Sequence, residues 1–353
     1  MRIKLAVLDK DDSYLSRFVS ALSSRYADSV EIYSFTNLSN AIQSLDDLRI
    51  DVFLADDSFD IDFSAIPKRC GFAYFMATSE EGSMNDQRVI GKYQRIEQIY
   101  KQILGIYSEN SAAYTGVRPT DDSVGTVAFM PVSGGCGAST MAAACAIYQA
   151  QHGKRTLYLN LEAYGASDMF FQGDGASDMS DIIFALKSRK SNLMLKLESC
   201  VRQDPSGVFF FSASQNALDM AELSDEDVRR FLSELRMSGS YDCIVLDLDF
   251  ALDSRTLKIL QDVQSVIWVG DGSEISNQKL VRIYQTLQIL DQDSDNPLLS
   301  RLHILYNKFS SHTSSIPTEV DLKSIGGAPR YEHATTKMIL EQLSQMSMFA
   351  SIV

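Results

Sequence analysis

The residues best suited to do chemistry lie together in Pro131-Val132-Ser133-Gly134-Gly135-Cys136-Gly137-Ala138-Ser139-Thr140. An apolar run from Val127 to Val132 leads into this stretch, and an alanine-rich run from Met141 to Gln149 leaves it. Strand, glycine loop and helix in that order make an anion site. The glycines can turn successive N–H groups toward one phosphate, and the helix start adds the positive end of its dipole. Ser139 stands where such a loop keeps the hydroxyl that binds magnesium. Against GxxxxGK[ST] the pattern is damaged, since Val132 replaces the first glycine and Ala138 replaces the lysine that reaches the β and γ phosphates.

Three more candidates stand at strand ends in the order a nucleotide-binding α/β domain needs. Asp247 closes the run Tyr241 to Leu246, at the carboxyl end where ligands sit in such sheets, and would hold a magnesium-bound water. Glu162, at the end of the strand after the loop, is a carboxylate placed to orient or deprotonate an attacking water. Asn307 ends a late strand, where its carboxamide offers one donor and one acceptor to an adenine edge.

The elements that must position these residues alternate strand and helix along the whole chain. In the first third, strands at 2–8, 31–35, 51–55 and 72–77 and helices at 13–22, 37–45 and 96–106 predict a parallel sheet flanked by helices. Residues 108–123 are small and turn-forming and lack apolar periodicity, as in a linker. From residue 124 the alternation resumes, with strands near 127–132, 156–161, 208–211, 243–248, 265–269 and 303–306. Expected, therefore, are two α/β domains, 1–107 and 124–353, which 353 residues suffice to build.

Composition narrows the function. A formal charge of −14 without a lysine or arginine block disfavours nucleic acid and anionic membrane as partners. Cys70, Cys136, Cys145, Cys200 and Cys243 are scattered and odd in number, which argues against a disulfide framework and a thiolate metal site and fits a reducing cytoplasm. No apolar stretch reaches membrane-spanning length. The tail positions Met338, Leu340, Leu343 and Met346 could form an apolar helix face, but Lys337 is the one basic residue there, and interfacial helices need cations on the polar face. A packing helix is expected, with no direct membrane insertion.

The first domain resembles the receiver domain of bacterial response regulators, a flavodoxin-like fold. Asp9 ends the first strand, Asp56 takes the phosphoacceptor position, Thr78 ends the fourth strand, and Lys92 before Tyr93 matches the lysine of the fifth. Lys10 occupies the second place of the acidic pair that should bind magnesium, so the phosphoacceptor site is expected to be inactive. Residues 79–91 are also too few for a full helix, a strand and their loops, so the fourth helix should be missing or reduced to a turn.

The second domain resembles the MinD/ParA group of P-loop ATPases, whose loop reads KGGxGK[ST]; here Ser133 replaces the signature lysine that reaches across a dimer. A degenerate receiver fused ahead of such an ATPase resembles the TadZ/CpaE family, which places Tad pilus machinery at the cell pole. The resemblance implies ATP and Mg²⁺ as cofactors, a homodimer formed through the nucleotide face, other Tad pilus secretion components as partners, and Arg330 bordering the base or ribose. With both lysines lost, the expected activity is a localisation platform that binds ATP and hydrolyses it weakly or not at all. The alternatives weighed are a cycling ParA-type ATPase that positions cargo by turnover, and a regulator switched by phosphorylation of Asp56.

Overall fold

The computed structural model describes residues 2–77, 82–84, 87–110, 124–189, 192–292 and 296–352. Residues 111–123, most of the expected linker, and Thr78 lie outside the described residues. The chain forms two compact units, the first taking the N-terminal segment together with residues 175–177 and 188–200.

In the first unit, strands β1 (Ile3–Leu8), β2 (Val30–Phe35), β3 (Val52–Ala55), β4 (Gly71–Met76), β5 (Gly82–Met84) and β6 (Gln87–Gly91) assemble in the order β2-β1-β3-β4-β6-β5. Pairing is parallel except between β5 and β6. The parallel part has the flavodoxin-like order. Alternate residues of one strand enter two different cores: Leu5, Val7, Leu54 and Phe75 pack on one face, and Ala6, Leu8, Phe53 and Tyr74 on the other. That is why these strands read as continuous apolar runs. Helix Asp12–Tyr26 begins on Asp11, whose side chain accepts from Tyr14 N–H, and helix Leu38–Asp47 begins on Asn37 in the same way. The short span before Lys92 carries the β5–β6 hairpin where a fourth helix would otherwise lie. Helix Leu193–Cys200, from far along the chain, packs on helix Ile96–Asn110.

The second unit holds β7 (Gly125–Pro131), β8 (Thr156–Asn160), β9 (Arg202–Gln203), β10 (Phe209–Phe210), β11 (Cys243–Asp247), β12 (Ser265–Gly270), β13 (Leu302–Phe309) and β14 (Lys323–Pro329). Their order is β14-β13-β12-β7-β11-β8-β10-β9, and only β9 runs antiparallel to its neighbour. With β12 on one side of β7 and β11 on the other, the chain reverses its direction of travel across the sheet at β7. This is the switch point where an open parallel sheet leaves a crevice.

Helix Ala138–Gln151 descends from that point and is apolar nearly all round. Its buried residues run from Met141 to Gln149 without a break, so it needs cover on every side. The sheet covers one side. Helix Thr336–Leu343 and the turn Ser347–Ser351 cover the other, bringing Leu340, Leu343, Phe349 and Ile352 into the same core, while Gln149 Nε2 donates to Phe349 O at 2.9 Å. The tail packs, as its charge pattern predicts. Leu343→Ala, at a fully buried position, should lower the unfolding free energy by about 2 to 5 kcal/mol, and Met338→Ala, at an exposed one, by less than about 0.5 kcal/mol. Urea unfolding followed by the single tryptophan, Trp268 in β12, reads both. Equal losses at the two positions would overturn the packing role of the tail.

Candidate functional site

The glycine loop leaves β7 and enters helix Ala138–Gln151 through two left-handed residues, Gly135 at φ 77° and Gly137 at φ 87°. No side chain caps the helix start, so its first N–H groups remain available. Ser139 and Thr140 sit in the first turn, and Ser133 Oγ donates to Ser276 Oγ at 3.3 Å. Cys136 is buried, and burial pushes its thiol up, as suits a filler residue.

Asn307 lies beneath the loop and is buried. Its Nδ2 donates to Cys136 O at 2.8 Å and its Oδ1 accepts from Lys308 N–H at 2.9 Å, so both ends of the carboxamide bind backbone. A Cβ at Gly137 would stand 2.4 Å from Asn307 Nδ2, which is why only glycine fits there. Lys308 itself has φ 56° and donates from Nζ to Gly135 O at 2.7 Å. Arg330 is exposed just beyond β14.

Asp247 ends β11 with no exposed surface. Its Oδ2 accepts from Tyr158 OH at 2.6 Å and from Asn160 Nδ2 at 3.0 Å, whereas Oδ1 is buried without a hydrogen-bond partner. Burial first, and the charge of Glu162 next, hold this carboxyl well above the usual carboxylate range. Asn160 organises the neighbour as well: its Oδ1 accepts from Glu162 N–H at 2.9 Å and its Nδ2 donates to Glu162 Oε2 at 3.0 Å. Glu162 Oε1 accepts from Ser139 Oγ at 3.2 Å. A Cβ at Gly165 would fall 2.3 Å from Asn160 Oδ1, so the turn after Glu162 also requires glycine. Ser139, Glu162 and Asp247 are thus brought to one end of the sheet beside the loop.

These residues fit magnesium. The orphaned Asp247 Oδ1 and the Ser139 hydroxyl are hard oxygen ligands. Among the described residues no cluster of three or more acidic, histidine or cysteine side chains could hold a metal alone, so a cation here would share its shell with phosphate oxygens and water. Tyr158, Asn160 and Lys308 are the functional neighbours that spacing does not reveal. The signal available for the first two is register, since β8 residue Asn160 pairs with Asp247.

The first unit carries a second acidic site at the carboxyl ends of its strands. Asp9 and Asp56 are buried and face one buried lysine: Lys92 Nζ lies 2.5 Å from Asp9 Oδ2 and also pairs with Asp56 Oδ2. Tyr14 OH donates to Lys92 O at 2.8 Å, and the Lys92 ammonium faces the Tyr14 and Phe75 rings. Burial pushes the Asp56 carboxyl up, but the hydrogen bonds from Lys92 and Ser58 outweigh it and the net shift is downward. Burial pulls the Lys92 ammonium down, and its bonds to Asp56 and Asp9 carry the net shift upward. Lys10 donates to Ser58 O at 3.0 Å and stands over the Phe59 ring. Asp11 caps the following helix. The pocket holds two carboxylates that share one buried ammonium, with a second cation at its edge.

Residues 1–108 match the TadZ-like receiver domain family. Among solved structures, a ParA family ATPase from Chlorobium tepidum TLS is similar at 19% identity and TM-score 0.53, over 66% of this chain and 97% of that one. A chain of the MinC:MinD cell division protein complex of Aquifex aeolicus is similar at 16% identity and TM-score 0.48, over 63% and 95%. MinD from Pyrococcus horikoshii OT3 with Mg-ADP is similar at 15% and 0.49, over 65% and 92%. A comparison with curated proteins gave no match. A TadZ-like receiver domain is thus followed by a domain with the fold of a ParA family ATPase, an order that matches the TadZ/CpaE architecture.

The Lys92 pairing makes two expectations. Incubation with a small phosphodonor and magnesium should add no phosphate to Asp56 by intact mass; a stoichiometric adduct at Asp56 would reject the closed-pocket reading. Lys92→Met should lower the stability of the first unit by about 3 to 5 kcal/mol, because it strands two buried carboxylates. In the wild type, the Asp56 contribution is complete above its unfolded pKa of about 4 and is lost as pH falls through the lower folded value. Acid titration of unfolding in wild type and Lys92→Met checks that sign.

Proposed function

We propose that this chain is an ATP-binding localisation protein of the Tad pilus machinery that dimerises through its ATPase domain and acts chiefly in the bound state. The observation that carries the reading is an asymmetry at the loop: the metal side is intact in Ser139, Glu162 and Asp247, while both positions that carry lysines in the ParA/MinD loop hold Ser133 and Ala138. Backbone N–H groups at 134–139 bind the phosphates. Ser139 and Asp247 hold magnesium, which when bound neutralises phosphate charge. Glu162, fixed by Asn160, orients a water.

Most of the acceleration in phosphoryl transfer comes from cations that neutralise charge on the transferring group, and an in-trans arginine alone supplies about 10³ to 10⁵ in related reactions. With the signature cations missing, binding survives and hydrolysis is slow. The receiver-like unit, with Lys92 held between Asp9 and Asp56 and Lys10 in place of the second metal acid, serves as a partner-binding module and not as a phosphorylation switch.

Two experiments test this. Ser133→Lys with Ala138→Lys should raise the single-turnover rate well above wild type and leave dimer formation intact. If wild type already turns over as fast as that double variant, the cycling-ATPase alternative takes its place. Asp247→Asn should stabilise the nucleotide-free protein at neutral pH, because a carboxyl whose folded pKa is raised loses stability as pH climbs through that value. The same variant should abolish the magnesium dependence of ATP binding. Calorimetry with Mg-ATP and with ATP in EDTA reads this, and an undiminished magnesium effect in Asp247→Asn would remove Asp247 from the site.

A further inference from the structure

We propose that Lys308 is the phosphate-binding lysine of this protein, supplied from the end of β13 in place of the lysines missing at 133 and 138. The inference rests on the nucleotide-binding reading above and names the residue that makes such binding possible without either signature lysine. The Lys308 ammonium already lies on the loop, 2.7 Å from Gly135 O, and this is its one side-chain hydrogen bond among the described residues. An ammonium has three donors, so two remain for an anion seated among the loop N–H groups.

Reaching the loop from there takes a specific backbone. In a regular strand Asn307 and Lys308 would point to opposite faces. The register between β13 and β14 shifts after Tyr306, whose partner is Gly327, and resumes at Phe309 opposite Pro329. Lys308 at φ 56° lies within that irregularity. A bulge re-aims side chains. Here it lets two consecutive residues address two consecutive carbonyls, Asn307 binding Cys136 O and Lys308 binding Gly135 O. Asn307, buried, fixes the height of the loop. Lys308, partly exposed, brings a positive charge to the edge of the loop.

A lysine resting on a carbonyl at a surface contributes little to stability, and that is the competing account. The two separate in binding. If Lys308 holds phosphate, Lys308→Met should weaken Mg-ATP about ten- to a hundredfold by calorimetry, as expected for one charge-assisted contact. Lys308→Arg should keep most of the affinity. Adding Ala138→Lys to Lys308→Met should restore it, because the charge returns from the other wall of the loop. Wild type and Lys308→Met should melt alike without nucleotide.

In the wild-type protein, Mg-ATP and not adenosine should protect Lys308 from acetylation, read by peptide mass spectrometry. This arm needs no variant to fold. No heat from wild type with millimolar Mg-ATP would defeat the nucleotide reading itself. Wild-type binding with equal affinity in Lys308→Met, an Ala138→Lys addition that restores nothing, or unprotected Lys308 in the presence of saturating Mg-ATP would each overturn the present proposal and leave that reading standing.

Discussion

A carboxylate sealed from water must be neutralised by its surroundings or stand ready for something that will neutralise it. Both sheets place such groups at the carboxyl ends of central strands, and they resolve the problem in opposite ways. At the first, Asp9 and Asp56 close on Lys92, whose ammonium is itself sealed under Tyr14 and Phe75. At the second, Asp247 receives the neutral donors of Tyr158 and Asn160, and its Oδ1 is left without a geometric hydrogen-bond partner among the described residues. A pocket with a cation of its own has less electrostatic demand for a divalent ion than one without.

Much of the second unit follows from holding Asp247 in that state. Tyr158 must be fully buried to reach it, which fills the layer under β8 with Phe170 and Phe171. Asn160 must bridge to Glu162, which excludes a side chain at Gly165. On the other side of β7, Asn307 braces the loop from below, so that the loop remains shaped for an anion with no lysine at its usual place. The helix that starts in the loop is apolar on all sides, and the C-terminal tail is committed to covering it. Tail packing and phosphate-loop geometry are therefore coupled through one helix.

The alternation of apolar runs and helical spacings was sufficient to place the strands and helices around both sites, and the runs Leu5–Leu8 and Ile244–Leu246 announced strands buried on two faces. Short or glycine-rich elements escaped. β14, Lys-Ser-Ile-Gly-Gly-Ala-Pro, has almost no β-forming side chains and exists because β13 offers an edge. Helices Ala217–Glu222 and Ser254–Gln261 are too short for periodicity to separate them from loops. The β5–β6 hairpin occupies a span that length alone showed to be too short for a helix.

By itself the sequence determined the order of the elements, the loop with its missing lysines, the acids at strand ends and the lack of cations in the tail. Each of these is a property of neighbours along the chain or of total charge, which local spacing records. Tertiary structure decided which distant groups meet. Strand register, set by backbone hydrogen bonds between β8 and β11, puts Asn160 beside Asp247. A bulge in β13, where its register with β14 shifts, turns Asn307 under the loop and Lys308 onto it. Whether a lysine neutralises a pocket, as Lys92 does, or waits at the edge of one, as Lys308 does, depends on burial and on partners far apart in sequence, and no spacing encodes that.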